Sequence, residues 1–155
     1  MTEIERKFLV KSDAFKSDAY QKTRIIQGFL NTHPERTVRI RIDGPKAFLT
    51  VKGKSSENGL SRFEWEKEIA VKEAENLLKL CEPGIIEKDR YLIRNEDHIF
   101  EVDEFHGQNQ GLIIAEIELN AEEDTFFKPL WVGKEVTGDI KYYNSQLSKN
   151  PYLNW

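Results

Sequence analysis

Charged side chains recur at alternate positions along this chain. The rows are Glu3-Glu5-Lys7, Arg39-Arg41, Thr50-Lys52, Arg62-Glu64-Glu66-Glu68, Lys88-Arg90, Glu101-Asp103 and Glu116-Glu118. In a strand, side chains two positions apart share a face about 7 Å apart, so each row is a charged edge. Close carboxylates suit a hard divalent cation such as magnesium or manganese, which takes oxygen ligands and bridges them to phosphate oxygens. Close arginine and lysine suit phosphate itself, arginine by two-pronged contact and lysine as a point charge. Both sets in one cavity make a site for a metal-bound polyphosphate.

The segments that carry these rows read as strands. Ile4, Phe8 and Val10 oppose Glu3, Glu5 and Lys7, with Arg6 interrupting the apolar side. Val38, Ile40 and Ile42 oppose Arg39 and Arg41. Asp43-Gly44-Pro45 is a turn signal, and Lys46 to Lys52 follows as the hairpin partner. Further strands are expected over Thr23–Asn31, Ser61–Val71, Ile86–Arg94, His98–Phe105 and Leu112–Leu119. Lys11–Tyr20 reads as a loop with a short helical turn. Ala74, Leu77, Leu78 and Cys81 have helical spacing within Lys72–Cys81, and Pro83-Gly84 ends that helix. Asn120 is expected to cap a short helix through Phe127, and Asp139 a C-terminal helix over Ile140–Lys149, with Pro129–Gly133 as a connection.

One strand at a time, such rows are the solvent-facing side of half-buried antiparallel strands. As a set they depart from that pattern. Like charges stand two apart repeatedly, where a surface chosen for stability mixes signs. There is also too little helix to cover both faces of so many strands. The expected fold is therefore α+β, mainly β: an eight-stranded antiparallel barrel, closed or nearly so. Charged faces would turn inward around a wet lumen, and apolar faces outward beneath a few flanking helices and loops.

The 155 residues make one domain, 1–155, large enough for a core without disulfides. A net charge of −4 supplies no basic field for nucleic acid or an anionic membrane, so neither is an expected partner. Cys81 is the single cysteine, which excludes intramolecular disulfides and thiolate metal clusters. Met-Thr-Glu-Ile-Glu lacks a signal peptide's basic and apolar regions, and no apolar run reaches membrane-spanning length, so a soluble cytoplasmic protein is expected. His33, His98 and His106 share no ligand spacing. Lys52-Gly53-Lys54-Ser55 lacks a phosphate loop's upstream glycine and following helix. Trp65 and Cys81 are expected in the core; for Trp131 and Trp155, near the end, an exposed contact or partner docking is open and no sequence feature supports it. Arg62 and Glu68 sit at strand ends, where a solvated salt bridge and a place in the site are equally open, and Lys141 and Tyr142 are expected near a tunnel mouth.

Glu3-Ile4-Glu5-Arg6-Lys7 resembles the N-terminal Glu-x-Glu-x-Lys signature of the CYTH domain, the triphosphate tunnel metalloenzyme superfamily. Gln27-Gly28 and the charged rows above match that family's tunnel-lining strands in order. Val136-Thr137-Gly138-Asp139 to Asn144 resembles its C-terminal helix entry. The resemblance covers essentially the whole chain. It implies a tunnel that binds small-molecule triphosphates with Mg2+ or Mn2+. Lys7, Arg39, Arg41, Lys52, Lys88 and Arg90 would hold phosphates. Glu3, Glu5, Glu64, Asp103, Glu116 and Glu118 would ligate metal directly or through water, unless Glu64, with Glu66 and Glu101, instead orients the cations. Lys88 and Glu5 would act in catalysis. The implied reaction is metal-dependent release of a terminal phosphate. Inorganic tripolyphosphate is favoured, since no nucleobase pocket is visible. A class IV adenylate cyclase and a non-catalytic polyphosphate or nucleotide module are the alternatives, as a monomer or homodimer. Phe29 departs from the family: short bacterial members often carry tyrosine there, a candidate partner for the lysine matching Lys88. Phe29 has no group to offer it.

Overall fold

The computed structural model covers residues 1–155. Its strands are β1 (Thr2–Val10), β2 (Gln21–Asn31), β3 (Arg36–Asp43), β4 (Lys46–Ser55), β5 (Ser61–Ile69), β6 (Ile86–Asn95), β7 (His98–Phe105), β8 (Ile113–Glu118) and β9 (Val132–Glu135). Its α-helices are short: α1 (Phe15–Asp18), α2 (Val71–Leu78) and α3 (Asn144–Leu147). The strands form one sheet in the order β5-β4-β3-β2-β6-β7-β8-β1-β9. Antiparallel pairing of Thr2–Ile4 with Ser61–Phe63 closes it into an eight-stranded barrel, leaving β9 as a flap on β1. The expected architecture is present, with one strand more.

Every charged row predicted from the sequence lies on a strand, and register turns the rows to a common interior, save Glu68, which is exposed at the end of its row. Glu5 pairs with Glu118 and Lys7 with Glu116. Glu116 pairs with Glu101. Arg90 pairs with Asp103, and Lys52 with Glu64. A shift of one residue in any strand would send its charges outside.

Apolar residues gather in three places. Phe8, Phe100, Val102, Ala115 and Ile117 form an outer core on β1, β7 and β8, covered by Phe15 and Trp131. Helix α2 covers Ile40 and Ala47 with Ala74. The third cluster is inside the barrel. Phe29, Ile86, Phe105, Leu112 and Ile114 fill one end, with Val136, Tyr142 and Leu147 from the C-terminal segment. The lumen is thus charged along most of its length and plugged by apolar side chains at one end.

The outer edge of β1 has a break that the C-terminal segment fills. Its first residues pair with β5 and its last with β9. Between them, Glu5 N donates to Leu60 O (3.0 Å), Lys7 N donates to Thr137 Oγ1 (2.9 Å) and Val136 N donates to Lys7 O (2.8 Å). Gly59, at φ +76°, lies backbone to backbone against Gly138, where a Cβ would collide.

The differences from expectation lie in the second half of the chain. Residues 120–127 are not helical, because the Asp124 carboxylate accepts from the backbone N–H of Asn120 and Ala121 and closes a turn instead. Phe126 then packs edge-on against Phe8 and Phe100. Residues 129–133 are more than a connection: they lead into β9 and bury Trp131, which is 5% exposed, against Phe15 and Phe100. The expected C-terminal helix is two pieces. Asp139 caps as predicted, accepting from Lys141 N, but only a 3-10 turn over Ile140–Tyr142 follows. Tyr143 is extended, at φ −69° and ψ 135°, before α3 begins. Trp65 is not core: β5 has no helix over its outer face there, leaving Phe63 52% and Trp65 42% exposed. Helix α2 starts at Val71 and ends at Leu78, with Cys81 packed partly buried beside its cluster. No helix is long and apolar enough to cross a membrane.

Candidate active site

The charged interior encloses a cavity of about 230 Å³, with only three hydrophobic residues among the 24 that line it. Glu3, Glu5, Lys7, Arg39, Arg41, Lys52, Glu64, Lys88, Arg90, Glu116 and Glu118 all line it. Asp103, the remaining predicted site residue, does not. It is 2% exposed and lies behind the cations. There it accepts from Arg90 Nε (2.8 Å) and Nη2 (2.9 Å) and stands 2.8 Å from Lys88 Nζ. Its oxygens are occupied by cations, which suits an orienting counter-ion rather than a metal ligand.

One wall is acidic. Glu5 faces Glu118 across the β1–β8 ladder, a pairing of like charges that costs stability in isolation. Two lysines thread this wall. Lys52 Nζ donates to Glu3 (2.9 Å) and lies 3.5 Å from Glu64. Lys7 Nζ lies 3.8 Å from Glu116 and donates to Tyr142 O (3.4 Å). Glu5 and Glu118 have no ion pair. Burial, then Glu116 and Glu3, push the Glu5 carboxyl well above the usual range. Burial and hydrogen bonding to Glu3 raise Glu64 to about 7. Burial alone would raise Glu116 too, but Lys7, Arg90 and Lys88 hold it down to about 2. The unpaired oxygens are hard donors, and a divalent ion would relieve their repulsion. No three His, Cys, Asp or Glu side chains converge on one point. Such an ion would take one or two carboxylates and fill its shell with water and phosphate oxygens, which is how magnesium prefers to bind.

The opposite wall is cationic. Arg39 donates from Nη2 to Thr50 Oγ1 (3.1 Å) and lies 3.4 Å from Glu66, while its buried Nε has no partner. Arg41 donates from Nε to Gln27 Oε1 (3.1 Å) and has no ion pair. Burial, then Arg39 and Arg90, push the Arg41 guanidinium down to about 9. Burial likewise pushes Lys88, which is 1% exposed, down to about 7 against the pull of Asp103. A buried cation without a counter-charge is costly, so this wall is built to receive an anion.

Arg62, balanced in the sequence between the site and a solvated pair, lines the cavity and donates to Thr37 Oγ1 (2.9 Å). Other lining residues have no place in the charged rows. Thr137, Tyr143, Asn144 and Ser145 arrive from the C-terminal segment. They have no strand period to announce them. Lys141 is outside the cavity, over the rings of Tyr142 and Trp155, and Tyr142 is in the apolar plug. Phe29 lies between cavity and plug.

A closed antiparallel barrel with an acidic wall facing a cationic one is a polyanion-binding tunnel. The CYTH domain matches residues 1–149, and the chain belongs to the CYTH domain family. It is similar to the inorganic triphosphatase of Acetivibrio thermocellus, at 51% identity over 154 residues, 99% of this chain and 97% of that protein. It is 39% identical to the inorganic triphosphatase of Nitrosomonas europaea over 152 residues, 96% of this chain and 97% of that one. The crystal structure of the inorganic triphosphatase NE1496 superposes with a TM-score of 0.67 at 34% identity, over 96% of this chain and 95% of that one. A Hippeastrum protein, described as a putative adenylyl cyclase with dominant triphosphatase activity, shares the fold. Its TM-score is 0.62 at 17% identity, over 78% of this chain and 81% of that one.

Proposed function

We propose that this chain is a metal-dependent triphosphatase that releases the terminal phosphate of a small-molecule triphosphate, inorganic tripolyphosphate first. The observation that carries the reading is Arg41: a guanidinium inside the cavity with one amide partner and no carboxylate, facing a wall of surplus acid. A phosphate chain satisfies the first and a divalent cation the second. The relatives named inorganic triphosphatase support the same substrate. The reading is of a cytoplasmic protein, a monomer or homodimer.

In this mechanism Arg39, Arg41, Arg90 and Lys88 hold the phosphate chain, with Lys7 and Lys52 reaching from the acidic wall. Asp103 keeps Lys88 and Arg90 aimed at it. Glu3, Glu5, Glu64, Glu116 and Glu118 offer the oxygens for Mg2+ or Mn2+. The bound ion would supply Lewis acidity toward a phosphoryl oxygen and activation of water. Burial, Glu116 and Glu3 favour the protonated form of Glu5, and a bound ion would favour the ionised form, in which its carboxylate would accept a proton from the attacking water. Lys88, near neutrality in its own proton affinity, stabilises the departing diphosphate. The apolar plug closes one end of the site to bulk water.

Phosphate release from tripolyphosphate, ATP and thiamine triphosphate, each with and without Mg2+ or Mn2+, tests this. Divalent-dependent release from tripolyphosphate is expected. Binding without release would make the tunnel a binding module, and cyclic AMP without free phosphate a cyclase.

A further inference from the structure

Lys88 and Arg41 are joined by two amides. Arg41 Nε donates to Gln27 Oε1 (3.1 Å), Gln27 Nε2 donates to Asn144 Oδ1 (2.9 Å), and Lys88 Nζ donates to the same oxygen (2.9 Å). The bridge has a forced polarity. An arginine only donates, so Gln27 must turn its carbonyl to Arg41, which leaves its NH2 for Asn144. A lysine ammonium also only donates, so Asn144 must present its oxygen to Lys88. Both ends therefore demand the same arrangement. Gln27 is fully buried.

The two amides have different origins. Gln27 belongs to the barrel, on β2, but Asn144 is the first residue of α3. The extended Tyr143 brings it to the cavity. The segment that carries Asn144 is anchored on the far wall: Thr137 Oγ1 accepts from Lys7 N and donates to Glu135 (2.6 Å), and Tyr142 O accepts from Lys7 Nζ. It thus runs from the acidic wall to the cationic one.

The geometry points to Asn144 and Gln27 as positioning residues that hold Lys88 and Arg41 in the orientation that receives the phosphate chain. This rests on the triphosphatase reading and extends it to two residues outside the charged rows. Lys88 has four methylenes and Arg41 three, and the like charges of the cationic wall would push their heads apart. Asp103 restrains Lys88 from one side only. Asn144 supplies the second restraint, which Phe29 cannot.

The test uses the full chain with Asn144→Leu, Gln27→Met, the double variant and Asn144→Asp. It reads kcat and KM for tripolyphosphate with Mg2+, and calorimetric tripolyphosphate affinity in EDTA. Losing a hydrogen bond to a charged group predicts a fall of about tenfold to a hundredfold in kcat/KM for Asn144→Leu, with weaker metal-free binding. The double variant falls no further than about twofold below Asn144→Leu, because both act through one bridge. Asn144→Asp keeps the acceptor and recovers kcat, while its charge raises KM. Full kcat/KM in Asn144→Leu, or strictly additive losses, overturns the inference. Should Asn144→Leu fail to fold, Gln27→Met decides alone: an unchanged metal-free affinity refutes the bridge. If the unsubstituted chain neither binds nor hydrolyses tripolyphosphate, the tunnel reading falls and this role with it. Intact activity with indifferent variants sinks the positioning role only.

Discussion

Glu5 on β1 stands directly opposite Glu118 on β8, and neither carboxylate has a cation in ion-pair range. Burial, Glu116 and Glu3 disfavour the ionised form of Glu5, so this wall marks a place where the chain gives up stability for a ligand. Glu5→Gln is expected to lower divalent-dependent phosphate release by about two orders of magnitude or more. Thermal unfolding without metal, at pH 8, should show equal or higher stability, by up to about 1 kcal/mol. An unfolded variant would show that the charge is structural instead.

Arg41 separates affinity from stability. Arg41→Met removes a half-buried cation with no ion pair, so metal-free stability should hold or rise. Tripolyphosphate affinity should fall about tenfold to a hundredfold, the loss of charged hydrogen bonds. Melting curves with and without tripolyphosphate measure both. A variant that melts earlier yet still gains full stabilisation from substrate would contradict the role.

Metal binding should release protons near neutral pH. Glu64, raised to about 7, is largely protonated in the folded chain at pH 6. Its folded value lies above its unfolded one, so the folded state binds the extra proton between about pH 4.5 and 7. Across that window this group makes metal-free stability fall as pH rises. A divalent ion taking the carboxylate expels the proton. Calorimetry of Mn2+ binding in buffers of different ionisation enthalpy should show release at pH 6 that fades by pH 8.5. Glu64→Gln should remove that share. Release that persists unchanged in Glu64→Gln would assign the proton elsewhere.

The two tryptophans provide a test of the fold. Trp131 is buried between Phe15 and Phe100, so Trp131→Ala should cost about 3–5 kcal/mol. Trp65, half exposed on bare β5, should tolerate serine within about 1 kcal/mol. Urea unfolding of both variants checks the difference. The reverse order would mean that β5 is covered and β9 is not.

The charged rows were legible because a strand's two-residue period comes from covalent geometry alone. Glu3 with Glu5, Arg39 with Arg41 and Glu116 with Glu118 could be assigned to shared faces without any knowledge of neighbours. The second half of the chain resisted the same treatment. Asn120–Phe127 carries helix signals, yet the Asp124 carboxylate and the burial of Phe126 outweigh weak propensity over so few residues. Trp65 has the right parity for a core, but parity does not say whether anything lies above the face.

Residue types and their alternation therefore settle which side chains share a face, and so that each of these strands has one charged face. Three things came only with the closed structure. One is the choice of inside, which needs β5 to meet β1. The second is the withdrawal of Asp103 from the cavity into the grip of Arg90 and Lys88. The third is the amide bridge, whose contacts join residues 117 and 56 positions apart. Local sequence constrains dihedral angles and faces. Contacts across such separations exist only once the loop-closure entropy of the whole barrel has been overcome.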